Sequence, residues 1–135
     1  MAFTHLLDTN IVSDLIRNPQ GVVRDQIQGV GADAVCISIV VAAEIRFGCV
    51  KRASDRLTQQ AEAILGALPI LPLEEAADRE YAAVRLYLET TGTPIGPNDL
   101  WIAAYARLHG LTVVTANVDE FSRVEGLDVV NWLSS

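Results

Sequence analysis

Five short apolar runs recur along the chain at helix-length intervals, and that spacing leaves few folds open. Residues 4–7, AVCIS at 34–38, ILPL at 70–73, LTVVT at 111–115 and LDVVN at 127–131 all have strand length, and most are rich in β-branched residues. The segments between them carry helix signals. Asn10 to Arg17 forms a short helix stopped by Asn18-Pro19, and Val22 to Val30 forms a second ending at Gly29 and Gly31. Ser38 caps a helix beginning IVVAAEIRFG, and Ala53 to Leu68 forms another, closed by Pro69;. Residues 74–92 make a long amphipathic helix with Ala77, Tyr81, Val84 and Leu88 on one face;. Residues 97–110 make a last helix with Asn98 as cap and Gly110 as stop;. Strands alternating with helices predict an α/β sandwich with a mostly parallel sheet. With no repeat or linker, residues 1–135 read as one domain;.

Parallel sheets bind ligands beyond the carboxyl ends of their strands, so the residues that follow each strand matter most. Asp8 directly follows the first run, and the helix after the second carries Glu44. Asp99 falls in the first turn of the 97–110 helix, where the helix dipole favours an ionised acid;. Asn117 and Asp119 come after LTVVT. Acids distant in sequence thus gather on one edge of one sheet, where they repel unless a cation lies between them. Oxygen ligands without Cys or His suit Mg²⁺, with Mn²⁺ as a substitute. Each residue also has a plainer role. Asp8 can cap the 10–17 helix, Glu44 can be a solvated helix charge despite apolar Val40, Val41, Ala43 and Phe47, and Asp99 can be a first-turn acid. Asn117 and Glu120 fit the capping-box spacing N-x-x-E;.

The charge balance alone decides little. A net charge of −7 and a pI near 4.6 oppose a broadly basic nucleic-acid face;. Yet the basic residues are arginines apart from Lys51, and a guanidinium fork suits phosphate;. No apolar run approaches the ~20 residues that span a bilayer, and the first ten residues lack an export pattern;. Cys36 and Cys49 lie among apolar neighbours with no CxxC motif, as buried free thiols of a cytoplasmic protein would;.

The blocks LLDTNIVSDL, CISIVVAAEIRFG and GTPIGPNDLWIAAYARLHGLTVVTANVDEFSRVEGLDVVNW resemble the PIN-domain ribonucleases, specifically the VapC toxins of bacterial toxin–antitoxin pairs, and within them the initiator-tRNA endonuclease group. The resemblance covers both ends of the chain and the 34–48 segment, whereas residues 50–72 add little. It implies a three-layer sandwich with a five-stranded parallel sheet, a homodimer, and a small VapB-type antitoxin occupying the active-site groove. It also implies that Asp8, Glu44 and Asp99 form a catalytic metal site for cleaving RNA, with tRNA the expected substrate. Many relatives have a fourth acid where this chain has Asn117.

On this reading, Mg²⁺ held by the three acids promotes in-line hydrolysis to a 5′-phosphate and a 3′-hydroxyl. Thr9, Asn10, Thr115 and Asn117 orient the ligands from behind, and Asp119 tunes a more weakly held ion. Arg17, Arg46, Lys51 and Arg52 form an RNA-facing rim. Three rival readings share the composition. A receiver-type phosphoacceptor needs a lysine after a late strand, and Lys51 is misplaced for that. A metal-free nuclease would rely on His5 and His109, although His109 at a helix end simply complements the dipole. A non-catalytic binding module, its acids holding a structural ion or nothing, is the third.

Overall fold

A computed structural model of the chain describes residues 2–133 and contains five strands in one parallel sheet. The strands are β1 (His5–Leu7), β2 (Val35–Ser38), β3 (Ile70–Leu71), β4 (Thr112–Val114) and β5 (Val129–Val130). The helices are α1 (Thr9–Arg17), α2 (Val22–Val30), α3 (Ile39–Arg52), α4 (Asp55–Ala67), α5 (Glu75–Thr90), α6 (Pro97–His109) and α7 (Val118–Phe121). The sheet order is β3-β2-β1-β4-β5. The chain builds outward from β1 through β2 to β3, then returns to the other side of β1 to lay down β4 and β5. The order therefore reverses between β1 and β4, which opens a crevice at their carboxyl ends.

Burial of the central strands fixes this arrangement. Leu6, Leu7, Val35, Cys36, Ile37, Val113 and Val114 are fully buried, as expected of a parallel sheet covered on both faces. Leu6 pairs with Cys36 on one side and Val113 on the other, so β1 is locked in register at the centre. Cys36 and Cys49 are buried free thiols, and burial pushes the Cys36 thiol up to about 11.

Beyond shifts of one or two residues at the ends of α1 and α5, the structure adds the short α7 after β4, and two helix starts depart from the sequence reading for a clear reason. The 53–68 helix begins only at Asp55, because Ala53 takes a left-handed conformation at φ 52° and ends α3. Ser54 then caps α4 by accepting the Leu57 N–H. At α6 the cap is Gly96, not Asn98, because Pro97 is well suited to the first helical position and draws Asn98 inside the turn;. Gly110 closes α6 at φ 66°, a conformation available to glycine at little cost;.

Candidate active site

The crevice between β1 and β4 is organised around Asp8, which is 2% exposed. Its Oδ1 accepts the Thr9 N–H at 2.8 Å, so it caps α1. Its Oδ2 accepts the Thr115 hydroxyl at 2.8 Å and the Asn10 amide at 3.2 Å. The capping role and the site role thus coexist in one carboxylate. Burial raises the Asp8 pKa, while the Thr115 and Thr9 hydrogen bonds oppose that rise. Thr115 is itself fully buried at the end of β4 and accepts the Asn117 N–H at 2.9 Å. Asn10 bridges to the same strand end, its Oδ1 accepting the Ala116 N–H. These contacts fasten the start of α1 to the end of β4.

Glu44 arrives from α3, where Ser38 caps the helix by accepting the Val40 and Val41 N–H groups. Its Oε1 accepts the Thr9 hydroxyl at 2.9 Å, so Thr9 links the two carboxylate-bearing segments. Asp99 is half-buried in the first turn of α6, and its pKa is pushed up from the usual 3.8 to about 7. Burial is the main cause, followed by the charges of Asp8 and Glu120, a hydrogen bond between the Asp99 and Glu120 carboxyls, and the charge of Glu44. Four carboxylates therefore sense one another at this edge. None of them takes part in the ion pairs found among the described residues, which use Asp14, Glu62, Glu89, Glu80 and Glu74 instead.

Glu120 is the member that sequence reasoning missed. Read as half of a capping box, it does not fill that role, since no side chain caps α7 at Asn117. Its Oε1 instead accepts the Gly96 N–H at 2.9 Å. Asp99 occupies the position from which a capping-box acid would reach back to that N–H; with Glu120 there, Asp99 is left to face the other acids. The legible signal was the Gly96-Pro97 start of α6, where glycine has no side chain to cap the helix and the N-terminus must find an acceptor elsewhere. Asp119 is exposed and lines an open cavity of about 450 Å³ with Asn117, Val118, Glu120, Arg123 and Asn131. It is not among the groups that shift Asp99.

The basic candidates separate. Arg17 and Arg52 line a cavity of about 200 Å³ that also holds Thr9 and Glu44. Arg46 is committed to Glu62 by two hydrogen bonds of 3.0 Å, and Lys51 is exposed at the end of α3. His5 opens β1, at the opposite end of the strand from Asp8, and packs on Trp132; His109 contacts Glu74.

The donors at this edge are carboxylate, hydroxyl and amide oxygens, which suit a hard divalent cation. Among the described residues no three His, Cys, Asp or Glu side chains close into a ready-made ion cage. An open arrangement fits Mg²⁺ all the same, since that ion keeps several waters and commonly binds one or two carboxylates plus substrate phosphate.

The family model for the PIN domain matches residues 5–127. The chain is 34% identical over 128 residues to the tRNA(fMet)-specific endonuclease VapC of Shigella flexneri, covering 94% of this chain and 96% of that relative. It superposes on DNA-bound VapBC from Salmonella typhimurium with a TM-score of 0.89 and 31% identity, covering 96% and 98% of the two chains. For VapBC2 from Rickettsia felis bound to a promoter DNA fragment, the TM-score is 0.87 and the identity 30%, with 98% and 99% covered.

Proposed function

Because the chain belongs to the PIN domain family, we propose that it is a VapC-type endoribonuclease toxin that cuts tRNA with Mg²⁺ or Mn²⁺. The observation that carries the site assignment is the convergence of Asp8, Glu44, Asp99 and Glu120, with no cationic side chain among the described residues paired to any of them. Asp8, Glu44 and Asp99 are the residues to hold the ion, with Glu120 rather than Asp119 as the fourth acid. The chemistry such an ion supplies when bound is activation of water and neutralisation of charge on the phosphate, which directs hydrolysis to a 5′-phosphate and a 3′-hydroxyl.

The protein's own residues position the pieces. Thr115, Thr9 and Asn10 hold the Asp8 carboxylate, Thr9 holds Glu44, and the Gly96 N–H holds Glu120. Arg17 and Arg52 line the same cavity as Glu44, which supports them as the RNA-facing rim, whereas Arg46 is occupied by Glu62. Initiator tRNA is the leading substrate, since the Shigella relative is specific for it. The two solved relatives above are VapBC complexes, and another similar structure belongs to the VapBC family of toxin-antitoxin systems, which supports a small VapB-type partner that restrains this chain. A homodimer, as the family resemblance implies, belongs to the same reading.

Expression alone should arrest growth, and co-expression of a small partner from the adjacent gene should restore it. The purified protein should cleave total RNA with Mg²⁺, and Asp8→Asn, Glu44→Gln and Asp99→Asn should each lose that activity by a hundredfold or more, of the order of several kcal/mol of transition-state stabilisation. Glu120→Gln should cost more than Asp119→Asn. Normal growth at high levels of soluble protein, together with inert purified protein, would leave the binding-module reading in its place.

A further inference from the structure

Phe47 is 67% exposed on α3, one turn beyond Glu44. A phenyl ring left in water forgoes the gain of burying its apolar surface, so its position beside the site asks for an occupant. The ring borders an open cavity of about 600 Å³ lined by Thr9, Val40, Ala43, Glu44, Phe47 and Asn98. Two of those residues, Thr9 and Glu44, belong to the carboxylate network through their 2.9 Å hydrogen bond. A third, Asn98, is adjacent to Asp99 and lies inside the first turn of α6 instead of capping it. The cavity is therefore continuous with the candidate active site, and its surface combines an aromatic face, aliphatic walls and one amide.

We propose that Phe47 is the stacking platform for the base of the nucleotide flanking the cleaved phosphodiester, with the Asn98 amide reading that base's edge. This rests on the ribonuclease reading above. A nucleotide whose phosphate lies at the carboxylates carries its base within reach of the next helical turn. Every base offers a π-face, and an amide offers both a donor and an acceptor for a base edge. A platform of this kind sets which nucleotide is accepted beside the cut, while the carboxylates act on the phosphate alone. Val50, a turn further along α3, is also exposed, so the competing occupants are proteins: the VapB-type partner, which would leave cleavage by the purified chain independent of Phe47, or a second copy of the chain.

The bond cut by the wild type is first mapped on total RNA. A short RNA carrying that bond is then made with 2-aminopurine at the flanking base. Phe47→Leu keeps an apolar side chain but removes the π-face. It should lower kcat/KM on the unlabelled RNA roughly ten-fold and abolish 2-aminopurine quenching measured in the Asp8→Asn background. Phe47→Tyr should restore both, and both variants should keep the wild-type mass in light scattering. Wild-type cleavage that Phe47→Leu leaves unchanged overturns the platform alone. Loss of activity with unchanged quenching and a lower oligomeric mass overturns it in favour of a second copy. A wild type that cleaves no RNA with divalent ion overturns the ribonuclease reading, and the platform with it.

Discussion

At the scale of single residues, Asp99 is the most informative group. Its pKa in the folded chain, about 7, lies above the usual 3.8, so the native state binds a proton that the unfolded state has already released. Stability from this group is therefore greatest below about pH 4, declines as pH rises towards 7, and above that carries the full penalty. Asp99→Asn removes the penalty. Water screens this half-buried position, which reduces the gain to on the order of 1–2 kcal/mol at pH 8. Thermal melts without divalent ion should show Asp99→Asn a few degrees more stable than wild type at pH 8, with the difference vanishing near pH 4. Added Mg²⁺ should narrow or reverse the gap, because the wild type gains binding energy that the variant lacks. Parallel melting curves across pH would mean that the carboxylates do not sense one another. Asp8 and Asp99 were visible in the sequence because one follows a strand and the other opens a helix, and Glu44 because it is the acid on the helix that follows β2 among apolar neighbours. Glu120 was not, because its contact with Gly96 spans 24 positions and depends on how α7 sits against α6.

At the scale of elements, patterning located the five strands and the six longer helices, while α7, a single four-residue turn too short to show a period, was missed and the other errors lay in caps. Ser38 and Gly110 behave as their residue types dictate, since a hydroxyl caps the start of α3 and a glycine turns the end of α6;. Ala53 does not advertise a break. Alanine is the best helix former, yet here it adopts the left-handed conformation that separates α3 from α4. The packing of those two helices overrides local preference. Ala53→Gly should relieve that strain and stabilise the protein by about 0.5–1 kcal/mol, net of glycine's greater freedom in the unfolded chain. Denaturant titration should register the gain as a raised midpoint with an unchanged slope. A lower midpoint would show that the left-handed residue carries no strain to relieve. Asn98 failed as a cap for a related reason: Pro97 at the first helical position moved the cap to Gly96, and Asn98 became free to face the cavity beside Phe47.

At the scale of the whole molecule, the strand order carries the site. Because β4 pairs with β1 on the side opposite β2, residues from positions 8, 44, 99 and 120 meet at one crevice although they span most of the chain. Strand alternation predicted the layers but not the order of strands, since pairing between distant segments leaves no local trace in a single sequence. On the proposed reading, this edge hydrolyses RNA with a divalent ion. The most direct test is to incubate the purified protein with an initiator tRNA transcript in Mg²⁺ or in EDTA and to determine the chemistry of the new ends. Cleavage should occur with Mg²⁺ only, leave a 5′-phosphate and a 3′-hydroxyl, and disappear in Asp8→Asn. Cleavage that persists in EDTA, or that leaves a 2′,3′-cyclic phosphate, would contradict it.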